Sequence, residues 1–112
     1  MLNLSAQVRI FVSAEPVDLR RSIDGLAAVV KEAMGEDPIS GNLFVFRNRR
    51  GDRMKVLAWD RNGYAVWYKR LERGRFSFPP PGERRIVSAQ TFQLLIGGLD
   101  LRRRWEAAEP AP

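Results

Sequence analysis

Apolar and polar residues alternate over 8–13, with Val8, Ile10 and Val12 on one face and Arg9, Phe11 and Ser13 on the other, the pattern of a short strand. Pro16 closes it. From Leu19 the period lengthens. Leu19, Ile23, Leu26, Ala27, Val30 and Met34 share one face at helical spacing, which predicts an amphipathic helix over 19–34. Asp18 stands where an N-cap belongs, its carboxylate able to accept from first-turn N–H groups; Gly35 suits the position past the helix end and Pro38 the stop. Gly25 costs about 1 kcal/mol relative to Ala inside a helix, so it marks a close packing contact.

Turn chemistry at residues 37–41 leads into three strand-like runs, Leu43–Arg47, Met54–Asp60 and Tyr64–Leu71, rich in Phe, Val, Leu, Trp and Tyr. The link Asn48–Asp52 reads as a hairpin tip. Arg61-Asn62-Gly63 fits a three-residue hairpin loop with Gly63 left-handed. That loop pairs Asp60 with Tyr64 and so places Lys55 opposite Lys69, Val56 opposite Tyr68 and Leu57 opposite Trp67. Arg75–Phe78 predicts a further short strand, and Pro79-Pro80-Pro81-Gly82 a stiff connector. Ser88 caps a second predicted helix with Phe92, Leu95 and Ile96 on one face, ended by Gly97-Gly98. Together these elements predict one α+β domain over residues 1–100, an antiparallel meander packed with two helices. An Arg-rich, then Glu/Ala/Pro tail follows over 101–112 and is expected to be mobile.

Charge sharpens this picture. The chain of 112 residues carries 19 Lys+Arg against 13 Asp+Glu, a formal net charge of +6. Residues 44–75 hold ten basic and three acidic groups, a net of +7, whereas all other residues hold nine and ten, a net of −1. Sixteen of the 19 basic residues are Arg, whose planar fork binds phosphate or carboxylate bidentately. A basic domain of this kind favours polyanions, nucleic acid first and an acidic protein surface second.

The candidate nucleic-acid contacts are Arg47, Arg49, Arg50, Arg53, Lys55, Lys69, Arg70, Arg73 and Arg75. The first four surround the hairpin tip, and the last four are expected at the far end of the same sheet, giving a positive band. The register above sets Lys55, Leu57 and Trp59 on one face with Ala65, Trp67 and Lys69. On the plainer reading Trp59 and Trp67 pack under a helix while the lysines reach out at the sheet edge. On the other, a basic rim beside indoles binds a phosphate backbone and an unstacked base.

Catalysis finds little material. There is no Cys and no His, hence no thiol chemistry, no disulfide framework and none of the commonest general base. No Ser/His/Asp set, HExxH or P-loop is present. Asp24, Asp52 and Asp60 have better explanations than a magnesium cluster: a helix flank, ion pairing among arginines and a turn. No cofactor is expected. No run approaches the ~20 apolar residues of a membrane span, and no signal peptide is read at the start, so a cytoplasmic protein is expected.

The runs Leu43–Arg50, Lys55–Leu57, Trp59–Tyr64 and Val66–Phe76, preceded by Asp18–Leu26, strongly resemble the small TnpB or Orf2-like accessory protein of IS66-type bacterial insertion sequences over about residues 8–98. This is not the RNA-guided nuclease that shares the name TnpB, for which the chain is far too short. The resemblance implies a protein that supports transposition while a separate transposase performs the strand chemistry, and it carries over no catalytic residues. DNA, at the element ends or the target, is the expected partner. The transposase and the element's other accessory protein are further candidates, and docking on the transposase without DNA contact is the alternative reading.

Overall fold

A computed structural model describes residues 4–82 and 85–107. The elements are β1 (Ile10–Val12), α1 (Ile23–Glu32), β2 (Leu43–Arg47), β3 (Arg53–Asp60), β4 (Gly63–Arg70), β5 (Arg85–Val87), α2 (Ala89–Ile96) and α3 (Arg102–Glu106). The α+β expectation holds. The strands form one five-stranded sheet in the order β4-β3-β2-β1-β5. β2, β3 and β4 are the predicted meander, but β1 pairs parallel to β2, with Phe11 beside Phe44. The sheet is therefore mixed, because α1 carries the chain back across it between β1 and β2.

Both faces of the sheet are covered. On one, Leu26 and Val30 of α1 pack with Phe11, Phe44, Phe46 and Leu57. On the other, Phe92 and Leu95 of α2 and Trp105 of α3 pack with Ile10, Val12, Val45 and Val56. Full burial of each such side chain contributes roughly 1.5–3 kcal/mol. Two-sided cover explains why Ile10–Val12 is buried at every position although alternation was expected: Phe11 is an apolar residue of the second core.

Four expectations are corrected. Helix α1 starts at Ile23, and its N-cap is Ser22, whose hydroxyl accepts from the Gly25 amide. The Asp18 carboxylate instead accepts from the backbone N–H and guanidinium of Arg20, which holds its pKa down from 3.8 to about 2. Leu19 is buried, but from the segment before the helix. Residues 75–78 form no strand, because the Phe76 amide donates to the loop carbonyl of Gly51 and Ser77 receives donors from residues 101 and 105. The fifth strand is Arg85–Val87, against β1.

The third correction is register. Asp60 pairs with Gly63, leaving a loop of Arg61 and Asn62. The positive φ falls on Arg61, at 58°, and not on Gly63. Lys55 accordingly faces Tyr68, Val56 faces Trp67 and Leu57 faces Val66. A one-residue slip exchanges the faces of a strand, so Lys55 and Lys69 lie on opposite sides of the sheet, as do Trp59 and Trp67.

The fourth concerns the boundary drawn at residue 100. Leu101 and Trp105 are buried, so the packed unit continues to α3. The remainder of the tail, from residue 108, lies outside the described residues.

Candidate functional site

The link between β2 and β3 is built around Asn48. Its Oδ1 accepts from the amides of Gly51 and Arg53, each at 3.0 Å, and its Nδ2 donates to the Asp52 carboxylate at 2.6 Å. This last bond, with support from Arg50 and Arg53, keeps the Asp52 pKa below its usual value. The segment after β4 wraps the link from outside: the Leu71 amide donates to the Asp52 carbonyl and the Phe76 amide to the Gly51 carbonyl, both at 2.8 Å. Gly51 is buried at φ 78°, a conformation a side chain would oppose. The tip is thus braced, with Arg49 and Arg50 exposed on it.

Antiparallel pairing sets the end of β4 beside the start of β3, with Arg53 opposite Arg70. The second basic group therefore sits at the tip's own end of the sheet, not at the far end, and Arg70, Arg73 and Arg75 join Arg47, Arg49, Arg50 and Arg53 there. The expected band is a single concentrated pole.

These cations differ in freedom. Arg47 is half-buried, its guanidinium over the Phe78 ring at 5.7 Å; burial pushes its pKa down, with Glu15 opposing. Lys69 turns to the α2 side and donates to the Ile96 carbonyl at 2.7 Å. Lys55 donates to the Leu19 carbonyl and lies over the Tyr68 ring at 5.6 Å. Arg70 pairs with Glu72 at 2.8 Å, a bond that raises its pKa. Arg49, Arg50, Arg53, Arg73 and Arg75 are exposed and make no side-chain hydrogen bond or ion pair among the described residues.

Two grooves flank the tip. One, of about 870 Å³, lies on the α1 side and is lined by Arg20, Arg49, Arg50, Arg53, Lys55 and Tyr68, among others. The other, of about 470 Å³, is lined by Arg47, Arg75, Phe78 and Arg102 and again by Arg49 and Arg50. The pair Arg49–Arg50 is thus a ridge between two basic channels. Arg20, Arg102, Tyr68 and Asn48 were absent from the predicted set. Only Asn48 had a local signal, an Asx residue ahead of a glycine turn.

Asp52 and Asp60 lie at opposite ends of β3, and among the described residues no group of three acidic side chains is arranged to hold a metal ion. Nor is any helix among them long and apolar enough to cross a membrane.

A family profile described as IS66 Orf2 like protein matches residues 8–106. The chain belongs to this family. As an Orf2-like protein it is an accessory protein of an IS66-type insertion sequence. The match spans the packed unit through α3, beyond the expected limit near residue 98. Similar full-length relatives are two uncharacterized proteins of Sinorhizobium fredii (strain NBRC 101917 / NGR234). With y4jC the Orf2-like chain is 42% identical over 104 residues, covering 92% of this chain and 89% of that protein. With y4hO it is 36% identical over 111 residues, covering 98% and 96%. No solved structure matches.

Proposed function

We propose that this accessory protein supports transposition by binding DNA through its arginine pole, without performing strand chemistry itself. The observation that carries the reading is the Arg49–Arg50 ridge with a basic channel on either side. Like charges set opposite each other, as Arg53 and Arg70 are, are unfavourable unless solvated or bridged by an anion, and the exposed Glu72 bridges Arg70 alone. A phosphate backbone supplies such anions at regular spacing. The proposed contacts are Arg49, Arg50, Arg53, Arg70, Arg73 and Arg75, with Arg47 and Lys55 in supporting positions along the channel walls. Lys69, tied to α2 on the other face, contributes to the field rather than to contact.

The test is a salt series with element-end and random duplexes. Each phosphate contact on B-DNA contributes about −0.9 to the slope of log affinity against log salt, so replacing Arg49 and Arg50 together by Ala should weaken binding on both duplexes and flatten the slope by up to about 2 units. The fold should be spared, since both side chains are exposed. A braced tip is also rigid enough to read base edges; in that event element-end affinity alone would fall, by roughly 1–3 kcal/mol per bidentate pair lost. Unchanged DNA binding together with lost capture of the transposase would assign the pole to protein docking instead and overturn the DNA reading.

A further inference from the structure

We infer that the groove on the α1 side takes an unpaired nucleic-acid strand, with Tyr68 as the platform on which one base stacks. The inference rests on the DNA-binding reading and goes beyond it, since phosphate contact alone does not distinguish a duplex from a single strand.

Tyr68 is 47% exposed, and among the described residues it is the most open of the aromatic side chains, every other ring being buried or half-buried. The other rings are wholly or partly packed: Trp105, Phe44, Phe46 and Phe92 in the cores, and Trp59 edge-on against Tyr64 at 5.1 Å. Leaving a ring of this size in water forgoes burial of the kind that the phenylalanines and Trp105 of this protein make. Its surroundings are predominantly cationic: Arg49, Arg50, Arg53 and Lys55 line the groove, whose two carboxylates, Asp18 and Asp52, are held by Arg20 and Asn48. On the α1 face of the hairpin, Arg53 faces Arg70 on one rung and Lys55 faces Tyr68 on the next. Lys55 lies over the ring while its amine is tied to the Leu19 carbonyl, so one flank of the ring is covered by a fixed cation. β4 is the edge of the sheet, so among the described residues no further strand stands beside the other flank.

An exposed aromatic ring within a channel of arginines meets the two needs of a single strand at once. Arginines along the channel receive phosphates, and the ring receives a base that has no partner to stack on. A duplex offers the phosphates but keeps its bases stacked inside, where Tyr68 on a sheet surface cannot reach them. Stacking needs a π-face and no particular base, so the preference expected is for strandedness rather than sequence.

The experiment uses the full chain and fluorescence-labelled probes, a single-stranded oligothymidylate and a duplex of equal length, titrated by anisotropy. Tyr68→Ala should weaken single-strand binding by roughly five- to 150-fold and leave duplex binding within about twofold, the range that loss of one stacked base allows. Tyr68→Phe should retain single-strand affinity, because the ring is kept. Circular dichroism of both variants should match the parent, Tyr68 being outside the buried cores. If the parent binds the duplex but not the single strand, or if Tyr68→Ala weakens neither probe or both equally, the single-strand inference falls and the DNA-binding reading stands. If the parent binds neither probe, both fall.

Discussion

At the scale of single residues, the arginine pole depends on an uncharged side chain. Asn48 holds the amides of Gly51 and Arg53 and the carboxylate of Asp52, so it shapes the loop on which Arg49 and Arg50 stand. Asn48→Ala removes three side-chain bonds from a region partly open to water, and the Gly51 amide keeps the Asn48 backbone carbonyl as a partner. With each net bond worth about 1 kcal/mol, and partial replacement by water, the expected loss is about 1–2 kcal/mol in urea denaturation. On the proposed DNA-binding role, DNA affinity should fall more than the stability loss alone implies, because a loosened tip would have to be reordered on binding. The basic residues were legible in the sequence because charge density can be counted along a chain. Which of them stay free was not. That depends on carbonyls brought from distant segments, Leu19 for Lys55 and Ile96 for Lys69. Tyr68 was hidden because the order of the strands, with β4 at the edge of the sheet, is not written in the local sequence.

At the scale of elements, the strands of the meander were legible from their alternating aromatic and β-branched residues, and α2 from its Ser88 cap. The β3–β4 register was not, because Arg61-Asn62-Gly63 accommodates either of two loops that differ by one residue. A Gly after Asn argues for the longer loop, with its left-handed residue at Gly63. The structure takes the shorter one, and cross-strand packing accounts for it. The shorter loop puts Val56 and Trp67 together toward the α2 side and Leu57 and Val66 toward the α1 side, each with its own core. The longer loop would pair Leu57 with Trp67 and send one of them to the wrong face. The cost is a positive φ at Arg61, where an L side chain is strained by about 1–2 kcal/mol. Arg61→Gly is therefore expected to stabilise the protein by up to about 1 kcal/mol, part of the relief being offset by glycine's greater freedom when unfolded. Gly63→Ala should be nearly neutral, because its φ is not positive and, chain neighbours aside, no atom of the described residues lies within 4 Å of an added Cβ. Thermal unfolding of the two variants decides between the loops, since the three-residue turn predicts neutrality at Arg61 and damage at Gly63.

At the scale of the whole molecule, the C-terminal helix and the basic tip are one mechanical unit. The indole of Trp105 donates to the Ser77 carbonyl at 2.6 Å, and the Leu101 amide to the Ser77 hydroxyl at 2.8 Å. The neighbouring Phe76 amide holds the Gly51 carbonyl inside the tip. A run of residues that reads locally as an arginine-rich tail thereby braces the loop that carries Arg49 and Arg50. No local pattern could show this, because a helix of five residues has too few positions to display a period and its anchor is a single tryptophan. Trp105 is 5% exposed and also lies under the Arg85 guanidinium at 5.5 Å. Trp105→Ala is expected to cost about 3–5 kcal/mol, the usual range for emptying a buried tryptophan site, which is a large share of the roughly 5–15 kcal/mol that holds a domain of this size together. The location of the damage is the sharper expectation. Where the variant remains folded, amide exchange should quicken at Gly51, Phe76 and Leu71, the donors and neighbours that tie the tip to the segment after β4, while the amides of α1 on the opposite face keep their protection. Uniform acceleration across both faces would mean that Trp105 supports only global stability. Acceleration confined to the tip's end would mean that the helix positions the arginines, and the variant's DNA affinity at a temperature where it is fully folded should then drop with every arginine still in place.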